Sequence, residues 1–317
     1  MKEKRLFRFG VIVLSIVLVA CTGGSSEAGC PAIDGREINV VATTPMIGEF
    51  VSQVGGDNIN LTVLMPAEAD PHNYDPSPQD AGKIADADLV FYTGLRYEPS
   101  ALVKLLENSA CSSEVLAEVG ENVFPIEFKE EGHDDHEGHD HGAYDPHFWF
   151  DPNRVSYAAE YIESKLVEFD PSNASDYEAA GKAYVTELKG LVSQVSELIS
   201  TIPSQNRKLI TTHESLGYLE AKFGLEVLST IIPSVDSANE ISPSQLVGVI
   251  DVIEDNNVKV IFIEAEAPSV YADTIVSETG IKAVEGLWVE TLKEGQSYPE
   301  FLFEAVELIV ENLTNTD

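Results

Sequence analysis

The chain has 317 residues, 54 of them acidic and 19 basic, for a formal net charge of −35. So anionic a surface repels nucleic acid and anionic substrates; it favours cations only in a general way, because acidity also serves solubility. The length is generous for one core and comfortable for two lobes within a single chain.

Residues 1–20 read as an export signal. Lys2, Lys4, Arg5 and Arg8 form a positive leader, and Phe9 to Val19 is apolar but too short to span a bilayer comfortably. The leader ends Leu18-Val19-Ala20-Cys21, and Thr22-Gly23-Gly24-Ser25-Ser26 follows as a polar tether across 21–35. An uncleaved anchor is the alternative, but small Ala20 directly before a cysteine favours a lipid on Cys21. Such a lipid would hold the mature chain at the outer face of a cell membrane while leaving its fold soluble. The leader carries four basic residues and one acidic, so its removal takes the net charge from −35 to −38. Cys30 and Cys111 then remain, free either to pair in an exported protein or to stay apart, since a sequence does not give their separation in space.

Val40-Val41-Ala42, Leu61 to Leu64 and Leu89 to Tyr92 are short apolar runs rich in β-branched residues. Helical patterns at 46–54, 78–86 and 98–108 separate them, and this alternation predicts an α/β lobe with a parallel sheet over 36–173. Residues 133–151 of that lobe hold five of the seven histidines. His133, His136, His139 and His141 lie in an acidic, glycine-containing stretch, 129–143, that cannot bury apolar surface and reads as a hydrated loop. His147 is different, fixed in Asp145-Pro146-His147-Phe148-Trp149. A helix follows from Asp151 to about Phe169, with Asp151 as its cap and Pro152 at its first position.

Tyr177, Ala180, Tyr184, Leu188, Leu191, Val195 and Leu198 then recur at spacings of three and four. They predict one amphipathic helix over 174–202, roughly 40 Å long, stopped by Pro203 and suited to joining two lobes. The alternation resumes over 203–317: strands at 208–212, 225–228, 258–263 and 281–287, helices at 215–223, 243–255, 268–279 and 299–313, and a surface loop at 230–242. The predicted architecture is therefore two α/β lobes with parallel sheets, joined by one long rigid helix.

Ligands of open α/β sheets bind beyond the C-terminal ends of the strands. His72, in Asp70-Pro71-His72-Asn73-Tyr74, follows the strand at 61–64; His147 repeats the Asp-Pro-His frame; His213 directly follows the strand at 208–212. A lone loop histidine is more often a satisfied polar residue than a ligand. Three at strand ends of two lobes point to a metal site in the cleft between them, since neutral imidazoles suit Zn²⁺ and related cations.

With these motifs, the chain resembles the metal-binding substrate-binding lipoproteins of ABC importers, which take up zinc, manganese or iron. The resemblance rests on the lipobox, on Asp70-Pro71-His72 through Asp80 with Ala87 to Gly94, on Asp145 to Trp149, on the long helix and on Thr211-Thr212-His213 through Leu225, and covers nearly the whole mature chain. It implies His72, His147 and His213 as ligands, with a C-terminal carboxylate completing the set. Glu290, in Glu285-Gly286-Leu287-Trp288-Val289-Glu290, stands where the family usually has aspartate. Glu264, at the end of the 258–263 strand, is the rival ligand, its alternative role being that of a strand-end carboxylate hydrogen-bonded to backbone. The resemblance also implies an ABC permease and its ATPase as partners, with the chain acting as a monomer.

Three imidazoles and one carboxylate suit Zn²⁺ rather than Mn²⁺, which prefers more oxygen ligands, and the histidine-dense loop fits an accessory role in collecting zinc. Affinity should fall as pH drops toward the free imidazole pKa of about 6.5. Asp70, Asp145 and Glu214 are expected to support the ligands. A zinc hydrolase would need an open coordination position and a base, for which Glu214 is the one candidate in the motifs. A surface adhesin of the same fold is compatible with transport.

Overall fold

The computed structural model describes residues 30, 33, 35–127, 144–237, 240–266 and 270–314. The export signal, most of the tether with Cys21, and the loop carrying His133, His136, His139 and His141 lie outside the described residues.

Two four-stranded sheets, each wholly parallel, form the centres of two lobes. The first is built from β1 (Ile38–Ala42), β2 (Ile59–Val63), β3 (Leu89–Tyr92) and β4 (Leu116–Glu118), in the order β2-β1-β3-β4. The second contains β5 (Lys208–His213), β6 (Glu226–Ile232), β7 (Val260–Glu264) and β8 (Lys282–Leu287), in the order β6-β5-β7-β8. Parallel strands need long crossovers, which here are mostly helices. These are α1 (Pro45–Gly55), α2 (Pro78–Ala85) and α3 (Ser100–Ser109) in the first lobe. In the second they are α6 (Gly217–Phe223), α7 (Pro243–Asn256) and α8 (Ala272–Thr279).

Two helices separate the lobes in sequence, and one ends the described chain. After α4 (Pro152–Phe169), capped by Asp151 as its sequence predicts, comes α5 (Ala174–Ser200), 27 residues long. The last helix is α9 (Tyr298–Thr314). Helix α5 packs against α1, α4 and α9. Its buried stripe includes Tyr177, Tyr184, Leu188, Leu191 and Val195, and Gly181 and Ile199 are buried in place of the expected Ala180 and Leu198. Spacings of three and four define a stripe without defining its centre, so a shift of one residue at either end is within the pattern.

A single apolar cluster runs from β1 and α1 through Phe148, Trp149, Phe150 and α5 into α9, so the two lobes share a core. Trp149 Nε1 donates to Val289 O at 2.8 Å, and Tyr298 Oη donates to Trp149 O at 2.6 Å.

Two features depart from the sequence reading, and a third resolves an alternative it left open. Strand β4 is only three residues, too short for a periodicity to reveal. Strand β6 continues to Ile232 because Thr230, polar in type, is buried and its hydroxyl bonds Ile232 O and the Glu214 carboxylate. Cys30 and Cys111, left open by the sequence, form a disulfide that ties the tether to the end of α3. Among the described residues no helix is long and apolar enough to cross a membrane.

Candidate metal centre

Each histidine reaches the centre by a different local device. Asp70 caps a single 3-10 turn, Pro71–Asn73, by accepting His72 N at 3.0 Å, which fixes the loop beyond β2. Asp145 does the same for His147, accepting its backbone N at 2.8 Å. This shared Asx geometry is the physical content of the repeated Asp-Pro-His triplet. His213 is the last residue of β5, its backbone paired to Ile232. Glu290 follows β8, in a segment whose backbone N–H groups at Val289, Glu290 and Thr291 all point to the Glu266 carboxylate.

The four side chains converge. Glu290 Oε1 lies 2.7 Å from His213 Nε2 and 3.3 Å from both His72 Nε2 and His147 Nε2. The Nε2 atoms of His147 and His213 are 3.4 Å apart. Donors held about 2.0–2.1 Å from a common ion at tetrahedral angles would lie about 3.3 Å from one another. Three of these four distances are close to zinc-ligand spacing, the His213–Glu290 pair is drawn in to a hydrogen bond, and all four donor atoms lie within 4.8 Å of one another. His147, His213 and Glu290 have no exposed surface.

The far nitrogens are held as well. Asp145 Oδ1 lies 2.8 Å from His147 Nδ1, and Glu264 Oε2 lies 2.5 Å from His213 Nδ1. A carboxylate taking the Nδ1–H leaves the Nε2 lone pair aimed at the cluster and raises ligand basicity. Glu264 therefore stands behind His213, across the ring from Glu290; it also accepts His213 N at 3.2 Å and the Ser215 hydroxyl. Of the expected supporting carboxylates, Asp145 reaches a ring. Asp70 instead binds the backbone and side chain of its own turn, and Glu214 takes the Thr230 hydroxyl.

The electrostatics follow from three bases around one buried acid. Burial pushes Glu290 up, but His147, His72 and His213 together hold its carboxyl well below the usual range. Burial pulls the His147 imidazole down, and Glu290 and Asp145 outweigh it, leaving the pKa at about 9. His213 is likewise opposed by burial and raised well above its usual value by Glu264 and Glu290. Glu266, buried beside this segment, is pushed up to about 8 mainly by burial, against the N–H bonds it accepts.

Tyr97 was not visible as a site residue in the sequence. Its hydroxyl lies 2.9 Å from Glu290 Oε2 and 3.0 Å from Glu290 O, and its ring packs edge-on against His72 with centroids 5.1 Å apart. Glu264 and Glu266 had one available signal, a Glu-Ala-Glu triplet at the C-terminal end of β7. Tyr97 had none, since it lies 193 positions from its partner.

Comparison with known proteins agrees with this architecture. The chain is 28% identical over 322 residues to a manganese ABC transporter substrate-binding lipoprotein, PsaA, of Streptococcus anginosus, covering 98% of this chain and 99% of the relative. It is 30% identical over 316 residues to the high-affinity zinc uptake system protein ZnuA of Bacillus subtilis, covering 96% of each. Among solved structures, a Mn-bound periplasmic metal binding protein from Candidatus Liberibacter asiaticus superposes with a TM-score of 0.74 at 25% identity, covering 87% of this chain and 99% of that one. The periplasmic zinc binding protein TroA of Treponema pallidum shares the fold with a TM-score of 0.74 at 23% identity, covering 88% of this chain and 100% of that one. The profile of the family described as zinc-uptake complex component A, periplasmic, matches residues 40–312, and the chain belongs to that family, the ZnuA-type metal-binding substrate-binding proteins of ABC importers.

Proposed function

We propose that this protein captures Zn²⁺ outside the cytoplasm, with His72, His147, His213 and Glu290 as ligands, and hands it to an ABC permease driven by its ATPase. The observation that carries this reading is the convergence of three Nε2 atoms on one buried carboxylate oxygen, all four donor atoms lying within 4.8 Å of one another. Relatives are named for manganese as well as zinc, so the choice of metal rests on the donor set. Three imidazoles favour zinc, and Tyr97 engages the second Glu290 oxygen, which favours single-oxygen ligation and low coordination number over the oxygen-rich shell of Mn²⁺. Glu290 fills the position that a hydrolase would keep open for water, which supports binding over catalysis.

In this reading, residues 36–173 and 203–317 act as the two lobes and 174–202 as a strut. Cation binding draws the lobes together only slightly, because a packed helix resists the bending that flexible linkers permit. A lipid on Cys21 keeps the protein, as a monomer, at the membrane beside its permease. The histidines at 133, 136, 139 and 141 hold zinc weakly and raise its concentration near the cleft.

The test is elemental analysis of the purified protein, followed by competition between Zn²⁺ and Mn²⁺ for wild type and His213→Glu. Wild type should retain zinc in the presence of excess manganese, and the variant should lose much of that preference. Preferential manganese binding by wild type would overturn the zinc assignment.

A further inference from the structure

Two of the three imidazoles are braced from within their own lobe. Asp145 and His147 both precede α5, and Glu264 and His213 both follow it. These pairs are complete however far apart the lobes stand. Among the described residues His72 has no such same-lobe carboxylate at its Nδ1: the one that approaches it, Asp236, comes from the opposite lobe and lies 3.9 Å away, beyond hydrogen-bond distance.

Asp236 sits just past β6, and its placement follows from strand pairing. Ile232, the last residue of β6, is paired with His213, so the chain leaves the sheet beside that imidazole. Glu214 N donates to Ser234 O at 2.9 Å, and Asp236 N donates to Ser234 Oγ at 3.0 Å, which fixes the turn carrying Asp236 to the backbone next to His213. The neighbouring Ser237 is buried, and its hydroxyl donates to Asp70 Oδ2 at 3.2 Å. Asp70 is the carboxylate whose other oxygen shapes the His72 turn. The segment 234–237 thus meets His72 at both its ring and the carboxylate that fixes its backbone. The His72 side chain is only 3% exposed, while that of Asp236 is 48% exposed, so the segment lies at the solvent side of the site.

We propose that the 234–237 segment is an interlobe latch, in which Asp236 positions the His72 ring and Ser237 holds the His72 turn only while the lobes are together. The two intralobe braces prepare His147 and His213 for any approaching cation. The latch makes the third histidine conditional on closure, so parting of the lobes frees His72 first and the cation leaves from that side. Asp236 is a positioning residue that acts through His72 and is not itself a ligand. The inference rests on His72 being a ligand.

Stopped-flow measurement of zinc binding and of zinc loss to a chelator, on the full mature protein, tests the latch. Asp236→Asn and Ser237→Ala should each accelerate zinc loss, Asp236→Asn by only about threefold to tenfold, because at 3.9 Å it acts on the ring by charge rather than through the hydrogen bond whose loss costs about tenfold to a hundredfold. The association rate and the melting temperature without zinc should change little. Asp236→Glu should restore most of the slow release, which a merely structural role for the turn would not predict. Asp145→Asn serves as the intralobe control and should slow association as well as speed release. Unchanged zinc loss in Asp236→Asn, with His72→Ala still binding weakly, would overturn the latch while leaving the ligand assignment standing. Unchanged zinc affinity in His72→Ala would overturn both.

Discussion

Glu290 is a fully buried carboxylate surrounded by three imidazoles, and its charge controls their protons. His147 holds a proton up to a pH of about 9 in this field, so a cation taken up there as proposed would have to displace it at neutral pH. The pH window follows from that direction. A histidine whose folded pKa is raised stabilises the fold fully below its ordinary value of about 6.5 and loses that contribution as pH rises through the folded value. Zinc affinity has the opposite sense, increasing through the same window toward about 9. The dependence expected from a free imidazole is therefore moved to higher pH, because the Glu290 and Asp145 carboxylates outweigh the opposing effect of burial. Calorimetric zinc titration at pH 7 in buffers of different ionisation enthalpy should show at least one proton released per ion; no buffer dependence would refute the raised value. The three histidines were legible as candidates because each sits in a local frame, whether Asp-Pro-His or a strand end. Of the two braces, Asp145 was legible within its Asp-Pro-His frame, whereas Glu264 becomes the partner of His213 only when strand pairing sets β7 next to β5.

At the scale of elements, α5 shows where pattern and packing part company. Its apolar stripe was readable from spacing alone, yet its buried face includes a tyrosine hydroxyl, that of Tyr184, with no hydrogen-bond partner among the described residues. Replacing a buried polar group that lacks a partner with an apolar one of the same shape is nearly neutral or stabilising. Tyr184→Phe should therefore leave unfolding free energy unchanged or raised by up to about 1 kcal/mol. Leu188→Ala, one turn away in the same core, should lose about 2–5 kcal/mol through lost burial and a cavity. Denaturant unfolding of the two variants checks the contrast, and comparable losses would mean the hydroxyl has a partner. Strand β6 makes the complementary point, since Ser229 and Thr230 interrupt its apolar run and yet hydrogen bonding keeps Thr230 inside the sheet.

For the whole molecule, the Cys30–Cys111 disulfide closes a loop with a sequence separation of 81 and anchors the start of the described chain to the first lobe. Loop-closure entropy for a ring of that size is worth about 4.5 kcal/mol. Cys111→Ser should lower the melting temperature measurably while zinc affinity stays as in wild type, because the hydrogen bonds that hold the proposed ligands in place involve neither cysteine. Parallel thermal melts and zinc titrations, with and without a reductant, test both halves of this expectation. A loss of affinity equal to that of a ligand variant would mean that the tether shapes the cleft.

The sequence by itself determined the two alternating halves, the long helix between them, and the three histidines, because strand runs, helix periods and Asx-capped turns are written within a few consecutive residues. Tertiary structure alone decided that Glu264 backs His213 while Glu290 faces the cluster, that Tyr97 holds Glu290, and that Asp236 reaches His72 from the other lobe. Those relations join residues from 51 to 218 positions apart. Their energies depend on burial that exists only after the two sheets and α5 have packed into a common core.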